Sequence, residues 1–192
     1  MTRTIVFDVG DVLVPTRSLH AVVGEGLGLA EAEFLSGFWT GRGAYDLGGA
    51  ASEYWTGVLG AWGREADPDL MAELERRDAA RWSVLPDEQA ALVAERAAAG
   101  DRLALLSNAP APLASAVRAA AWSDPFDVLV FSCDLGVGKP GPELFARASA
   151  LLGPGETVFL DDKAENVEAA RAHGWDAHVW VGVEHAREWL SR

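Results

Sequence analysis

Short runs of apolar residues recur along the chain, and each of them stops at a polar residue or a glycine. The runs cover residues 4–7, 103–106, 128–131, 157–160 and 177–181. Stretches with the spacing of amphipathic helices occupy residues 87–99, 111–121, 142–152, 164–173 and 183–190. Short strands that alternate with longer helices are typical of a parallel sheet, and continuous apolar strands indicate burial on both faces. We therefore predict an α/β fold, a Rossmann-like doubly wound parallel sheet.

Residues 16–85 depart from this alternation. They contain no strand pattern and carry instead helical stretches rich in Ala, Leu, Glu and Trp, which Gly-rich turns interrupt. We interpret this segment as a small helical cap inserted after the first strand. The predicted division is a core domain of residues 1–15 and 86–192 and a cap of residues 16–85.

Polar side chains follow three of the predicted strands, at the point where each strand ends. The pairs are Asp8 with Asp11, Ser107 with Asn108, and Asp161 with Asp162. Open α/β sheets bind ligands beyond the carboxyl ends of their strands, so these groups predict a catalytic site there. Capping of the following helices explains any one pair, but carboxylates gathered from two strands repel one another unless a cation lies between them. Oxygen ligands of this kind suit Mg²⁺.

The composition limits the classes of partner. Of 192 residues, 49% are hydrophobic and 23% are charged, and 16 basic against 29 acidic residues give a net charge of −13. This charge repels nucleic acid and anionic membranes, so we expect neither as a partner. No apolar run reaches the roughly 20 residues that cross a bilayer, and residues 1–7 lack the features of a signal peptide. We expect a cytoplasmic protein, either a monomer or a homodimer.

Two residue types are unusually rare. Cys133 is the only cysteine, which excludes a disulfide within the chain and a multi-cysteine zinc site. Fourteen of the sixteen basic residues are arginine, and the only lysines are Lys139 and Lys163. A lysine in so arginine-rich a chain indicates a need for a compact ammonium group rather than a planar guanidinium.

Four segments, in order along the chain, resemble the motifs of the haloacid dehalogenase-like hydrolases. They are residues 5–13 (IVFDVGDVL), 105–108 (LLSN), 138–145 (GKPGPELF) and 158–166 (VFLDDKAEN). Any one of them alone is weak, whereas the ordered set spans essentially the whole chain. The resemblance is to the subgroup with a helical cap after the first strand. It implies a magnesium-dependent phosphatase acting on a small phosphorylated metabolite.

The resemblance also implies roles for individual side chains. Asp8 corresponds to the nucleophile, which attacks phosphorus and forms an aspartyl-phosphate. The hydroxyl of Ser107 corresponds to the group that holds the transferred phosphoryl group, and Asn108 completes that site or contacts the substrate. Lys139 corresponds to the cation that neutralises both nucleophile and phosphate.

A magnesium site is implied by the same resemblance. Asp8 and Asp162 correspond to direct ligands, together with the backbone carbonyl of Gly10. Asp161 corresponds to a carboxylate behind the ligands, where it orients metal-bound water molecules.

The chain departs from the family pattern at Gly10. Most phosphatases of the family carry a second aspartate there, two residues after the nucleophile, and that group acts as general acid and then as base. Here Asp11 comes one residue later, and we expect it to face the turn. General acid–base catalysis contributes about 100- to 10,000-fold. Three explanations stay open: a leaving group that needs little protonation, such as a sugar 1-phosphate or an acyl phosphate; a proton donor from solvent or the cap; or a slow or inactive enzyme.

The predicted cap carries aromatic residues that are candidates for substrate contact. In related enzymes a tyrosine–acid–glycine stretch similar to residues 45–49 joins two cap helices above the active site. We therefore predict that Trp39, Tyr45 and Trp55 shape substrate choice, the alternative being that they only pack the interior of the cap.

Two other functions stay open from the sequence. The 2-haloacid dehalogenases of the same superfamily attack carbon with the equivalent of Asp8 and need no metal. Their fourth motif generally has neutral residues where this chain has Asp161 and Asp162, which weighs against that function. The other is a catalytically weak, magnesium- and phosphate-binding regulatory relative, against which the intact nucleophile, lysine and acidic pair argue.

Overall fold

Five short strands and eleven α-helices make up the part of the chain that the computed structural model describes, residues 3–191. The strands are β1 (Arg3–Phe7), β2 (Arg102–Ser107), β3 (Val128–Phe131), β4 (Glu156–Asp161) and β5 (Asp176–Val179). The helices are α1 (Leu19–Val23), α2 (Glu31–Phe38), α3 (Arg42–Asp46), α4 (Ala51–Ala61), α5 (Pro68–Ala80), α6 (Asp87–Ala98), α7 (Ala111–Ala119), α8 (Ser132–Leu135), α9 (Pro142–Leu152), α10 (Ala164–His173) and α11 (Val183–Leu190). None of the helices within residues 3–191 has the length and apolar character that crossing a membrane requires.

The strands form one sheet in the order β3-β2-β1-β4-β5, and every neighbouring pair is parallel. The strand β1 lies in the centre, with β2 on one side and β4 on the other. Consecutive strands therefore leave the centre in both directions, which is the doubly wound arrangement predicted from the sequence. The predicted α/β fold with a parallel Rossmann-like sheet is confirmed.

The two faces of the sheet bury two separate hydrophobic clusters, because successive side chains of a strand point to opposite faces. In β1, Ile5 and Phe7 belong to one cluster and Val6 to the other. Helices α6, α7 and α11 supply apolar side chains to the first cluster, whereas α9 and α10 supply them to the second. The core is thus a three-layer stack, with β1, β2 and β4 almost completely buried in its middle.

Helices α1–α5 follow β1 and form a third hydrophobic cluster of their own. All of its buried members lie between Leu19 and Leu74, and they include the aromatic residues Phe34, Phe38 and Trp55. No strand occurs between Phe7 and Arg102. We call the segment from α1 to α5 the helical insertion. Its separate interior supports the predicted division into a core of residues 1–15 and 86–192 and a cap of residues 16–85, which stays a prediction.

The central strands should carry most of the stability of the core. Leu105 in β2 is fully buried, and its truncation to alanine should lower the free energy of unfolding by about 2–5 kcal/mol. Leu151, on the exposed side of α9, is the matched control, and Leu151→Ala should change that free energy by no more than about 0.5 kcal/mol. Urea denaturation of both variants measures the difference. Equal losses would contradict the burial described here.

Candidate active site

The ends of the three central strands meet at one edge of the sheet. Asp8 follows β1 directly and its backbone N–H still donates to the carbonyl of Leu160 in β4, at 2.9 Å. Ser107 is the last residue of β2, and Asp161 is the last residue of β4. Because β1 lies between β2 and β4, this topology brings together side chains that are about 100 and 150 residues apart in sequence.

A buried ammonium group joins two of these strand ends. The Nζ of Lys139 lies 2.9 Å from Oδ1 of Asp8 and 2.5 Å from Oδ2 of Asp161. Burial acts to lower the pKa of Lys139, but the two carboxylates outweigh it and hold that pKa above its usual value, so the group stays charged. Burial raises the pKa of Asp8 to about 6, although Lys139 opposes the change. The lysine thus favours the ionised form of the nucleophile candidate against the effect of burial.

Asp161 is completely buried, and both of its oxygens are occupied. Besides the bond from Lys139, its Oδ1 accepts hydrogen bonds from the backbone N–H of Lys163 at 2.9 Å and from Nδ2 of Asn166 at 2.8 Å. Such a carboxylate has no free oxygen for a substrate. Its place agrees with the supporting role predicted for it behind the metal ligands.

Three carboxylates lie close enough together to share a cation. Asp8, Asp161 and Asp162 each offer an oxygen, and these oxygens lie within 4.8 Å of one another. Burial and the neighbouring Asp161 raise the pKa of the half-buried Asp162. The Gly10 carbonyl, which the sequence predicts as the third direct ligand beside Asp8 and Asp162, accepts no hydrogen bond from the described residues. A set of oxygen donors without histidine or cysteine fits a hard cation such as Mg²⁺.

Asn108 lies beside the cavity, but its carboxamide is engaged with the backbone of Lys139. Its Oδ1 accepts from the Lys139 N–H at 2.8 Å, and its Nδ2 donates to the Lys139 carbonyl at 2.9 Å. The sequence predicts that Asn108 completes the phosphoryl site or contacts the substrate, and both stay predictions; in the structure its carboxamide braces the loop that carries the lysine. Sequence cannot reveal this, since the two residues are 31 positions apart.

A cavity of about 140 Å³ opens over these groups. Its floor comes from the strand ends and its roof from the helical insertion. The residues around it are Asp8, Gly10, Asp11, Thr16, Trp39, Arg42, Asp46, Trp82, Ser107, Asn108, Leu113, Lys139, Asp162, Lys163 and Asn166. Most of the residues predicted from the sequence therefore surround one space.

Of the three predicted aromatic contacts, only Trp39 borders this cavity, where about half of its surface is exposed. Tyr45 is 3% exposed, stacks on Tyr54 and donates its hydroxyl to Glu75 at 3.0 Å. Trp55 is 1% exposed and packs inside the insertion. The structure does not bring Tyr45 or Trp55 to the cavity, because both belong to the apolar interior that holds the insertion together.

Two charged residues of the insertion reach the cavity without having been predicted. Arg42 is buried and its Nε donates to Oδ1 of Asp46 at 2.6 Å, while its Nη1 lies 3.1 Å from Oδ2 of Asp78. Asp46 immediately follows Tyr45 in the tyrosine–acid–glycine stretch. The sequence thus located the segment above the site, but a helical turn places consecutive side chains about 100° apart, and the acid is the one that faces the cavity.

The buried Lys139 should contribute strongly to stability, because it is the cation between two buried carboxylates. Lys139→Met leaves Asp8 and Asp161 buried without their cation, which should lower the free energy of unfolding by about 3–5 kcal/mol at neutral pH in the presence of a chelator. Loss of the ammonium raises the pKa of Asp8 further above 6 in the folded state, and protonation then favours folding. The deficit should therefore shrink as the pH falls toward 6 from above, and it should become constant below about 6, where Asp8 is protonated in both folded proteins.

Chemical denaturation between pH 8 and pH 5 measures this effect, with the exposed Lys163→Met as control. A deficit that does not change with pH would mean that the packing of the lysine stem, rather than its charge, is what was lost.

Comparison with known proteins places these motifs in a family. Residues 2–174 match the model of the haloacid dehalogenase-like hydrolases. A phosphoserine phosphatase of Thermus thermophilus is 34% identical over 115 residues, which are 58% of this chain and 45% of that protein. The chain thus spans less than half the length of this relative.

Solved structures share the fold. A haloacid dehalogenase family enzyme of Bacteroides thetaiotaomicron, in complex with magnesium and inorganic phosphate, superimposes with a TM-score of 0.68 at 20% identity, over 93% of this chain and 94% of that one. An L-2-haloacid dehalogenase of Xanthobacter autotrophicus with chloropropionic acid covalently bound reaches 0.72 at 23% identity, over 100% and 83%. With the family model matching nearly the whole chain, the protein belongs to the haloacid dehalogenase-like hydrolases.

Proposed function

We propose that the protein is a magnesium-dependent phosphatase that hydrolyses a small phosphomonoester through an aspartyl-phosphate on Asp8. The family supplies the reaction class, hydrolysis. Two similar proteins point to phosphorus rather than carbon: the relative that is a phosphoserine phosphatase, and the structural neighbour in complex with magnesium and inorganic phosphate.

The observation that carries the proposal is the charge of the cluster at the strand ends. Asp8, Asp161 and Asp162 with Lys139 amount to three negative charges and one positive charge, a net of −2 when all are ionised. A phosphate monoester adds further negative charge, and such a site repels it strongly at close range. One divalent cation neutralises the net charge of −2, which remains after the positive charge of Lys139 has been counted.

The residues of the chain divide the work between them. Asp8 attacks phosphorus, and the Lys139 ammonium 2.9 Å from its Oδ1 offsets the repulsion between nucleophile and substrate. The hydroxyl of Ser107, at the end of β2, donates to an oxygen of the phosphoryl group. Asp161 and Asn108 hold Lys139 in place from its two ends, through the ammonium group and through the backbone.

Asp8, Asp162 and the carbonyl of Gly10 are the groups that would hold the magnesium ion, with Asp161 behind them. When bound, the ion supplies charge neutralisation and polarises the phosphoryl oxygens. Asp8 and Asp162, the two carboxylates that would bind the ion directly, both have raised pKa values, as expected of a site built to receive a divalent cation.

The volume of the cavity favours a small substrate. At about 140 Å³ it lies below the roughly 300–1,000 Å³ typical of sites for drug-sized ligands. Because position 10 carries no acid, leaving groups of low basicity are favoured unless another residue donates the proton. A sugar 1-phosphate or an acyl phosphate, the two examples suggested by the sequence, has a leaving group of this kind.

A dehalogenase is the second candidate, and the similarity to the Xanthobacter enzyme is the observation in its favour. Its chemistry needs one carboxylate nucleophile and binds an anionic haloacid without metal. Asp161 and Asp162 beside Asp8 add negative charge where such a substrate would bind, so the arrangement favours the phosphatase.

Replacement of the nucleophile is the direct test. With p-nitrophenyl phosphate and millimolar Mg²⁺, Asp8→Asn should lose turnover to background while keeping its fold, because the amide cannot attack phosphorus. Asp11→Asn is the matched control: the Asp11 carboxylate accepts hydrogen bonds from the N–H and Oγ1 of Thr16, and asparagine tolerates its positive φ of 54°. That variant should keep most of the activity.

Removal of the metal provides an independent readout. Chelator should abolish the wild-type activity, and Mg²⁺ should raise the melting temperature of the wild-type protein by mass action. Release of halide from 2-chloropropionate without metal, in place of phosphate release, would establish the dehalogenase instead.

A further inference from the structure

Position 10 carries no acid, so an ester with a basic leaving oxygen can be hydrolysed efficiently only if another group at the cavity supplies the proton. Four acidic residues border the cavity: Asp8, Asp11, Asp46 and Asp162. The proposed function uses Asp8 as nucleophile and Asp162 as metal ligand. The Asp11 carboxylate is taken by Thr16, to which it is bonded through both oxygens. Asp46 is the acid that is left.

One oxygen of Asp46 is fixed and the other is free. Oδ1 accepts from Nε of Arg42 at 2.6 Å, whereas Oδ2 has no hydrogen-bond partner among the described residues. The side chain is 15% exposed and borders the same cavity as Asp8 and Ser107. A carboxyl group at the cavity that is held by one oxygen, while the other has no partner, has an arrangement suited to proton transfer.

The position of Asp46 over the core is determined by contacts on both sides. Its backbone carbonyl accepts a hydrogen bond from the Ser132 hydroxyl of α8, which belongs to the core. Two residues later, Gly48 approaches the carbonyl of Cys133 so closely that a Cβ would lie 3.1 Å from it. Arg42, in turn, is held by Asp78 and by the aromatic rings around it. These contacts therefore fix the position of the segment that carries Asp46 at the cavity.

We propose that Asp46 is the general acid and base of the reaction, in place of the aspartate missing at position 10; this inference rests on the proposed phosphatase function. In the first step an oxygen of Asp8 bonds to phosphorus, and the bond between phosphorus and the leaving oxygen breaks with its electron pair on that oxygen. The proton on Oδ2 of Asp46 passes to the leaving oxygen, so an alcohol departs and Asp46 becomes a carboxylate.

In the second step the same carboxylate acts as a base. A water molecule attacks the phosphorus of the aspartyl-phosphate, its proton goes to Asp46, and the bond between phosphorus and Asp8 breaks with its electrons on the Asp8 oxygen. Phosphate leaves, Asp8 is again a carboxylate, and Asp46 is again protonated. One water molecule is consumed and no other reactant is needed.

The surroundings of Asp46 suit both steps. Burial raises its pKa to about 6, against the lowering effect of the Arg42 guanidinium. Asp78 raises it as well, and Lys163 at the cavity wall lowers it. A carboxyl group with a pKa this close to neutrality is available in both its protonated and its ionised form, as a group that alternates between acid and base must be.

The test is a comparison of leaving groups. Asp46→Asn keeps an acceptor for Arg42 but has no proton to give. Its kcat/KM should fall about 100- to 10,000-fold for phosphates of primary alcohols, and only a few-fold for p-nitrophenyl phosphate, whose leaving group needs no proton. Asp78→Asn is the control, because it disturbs the same arginine from a position that does not border the cavity. Asp78 also raises the pKa of Asp46, so this variant is compared with the wild type at a pH well below 6, where Asp46 is protonated in both proteins. Under that condition its two rates should change by the same factor.

The wild-type protein supplies a second measurement that needs no variant. Its ratio of kcat/KM for alkyl over aryl phosphates, with each substrate expressed as its dianion, should fall as the pH rises through the pKa of Asp46. Ionisation of Asp8 affects both substrates alike and cancels in the ratio. Gly10→Asp should supply a second acid and so make the ratio less dependent on the protonation of Asp46. The substitution should fit, because Gly10 is outside the left-handed region and a Cβ there meets only the Trp82 ring, at 3.6 Å.

The outcomes separate this inference from the function on which it rests. If p-nitrophenyl phosphate is not hydrolysed in a manner that depends on Mg²⁺ and Asp8, the phosphatase proposal fails. If it is hydrolysed, but a folded Asp46→Asn protein loses equal activity toward both substrates or none toward either, Asp46 is not the acid. A selective loss for the alkyl phosphates, or a pH-dependent ratio in the wild type, supports the assignment.

Discussion

The buried ammonium of Lys139 between Asp8 and Asp161 is the interaction on which the rest of the site depends. It is one positive charge among three carboxylates, and without it two buried anions at neighbouring strand ends would repel each other at close range. The protein fixes the lysine from both ends. Asp161 holds the ammonium group, and Asn108 holds the backbone that carries it.

The sheet provides the precision that such a cluster needs. The order β3-β2-β1-β4-β5 makes β1 the neighbour of both β2 and β4, so the three polar strand ends are separated by single strand spacings. Their strands are buried on both faces by two independent clusters, which leaves little freedom at the ends. The core thus positions the nucleophile, the lysine and the acidic pair without the insertion.

Much of the fold and of the site could be predicted from the sequence. The features that could not be predicted were missed for one common reason. Helices α9, α10 and α11 have the bounds predicted for them, because Pro142 opens the first and glycines with positive φ close α9 and α10. The polar side chains at the strand ends could be predicted as well, because they come directly after apolar runs that are recognisable as strands. The insertion was harder: periodicity located residues 45–49 above the site, but not which side chain turns toward it. Tyr45 turned inward to stack on Tyr54.

Asn108 shows the same limit in another form. Its residue type and its place after β2 are visible in the sequence, but its partner lies on a loop that only tertiary structure brings near. Local pattern reveals which groups reach an edge of the sheet. It does not reveal which of them are already engaged with each other, and that decides which remain free to meet a substrate.

The segment around Asp46 meets the core at two contacts: the Ser132 hydroxyl donates to the Asp46 carbonyl, and Gly48 lies close to the Cys133 carbonyl. We call these two contacts the seam. They link the enclosure of the substrate to the protonation of its leaving group. Asp46 belongs to the insertion, whereas the nucleophile, the lysine and the acidic pair belong to the core. Any separation at this seam would carry the carboxyl group of Asp46 away from the phosphoryl site and admit solvent at the same time. With Asp46 as the acid, the protein becomes catalytically complete only while the seam is closed, so a phosphate ester that is too large to be enclosed would meet a nucleophile without a proton donor. Size selection would then act through the rate of the reaction as well as through binding.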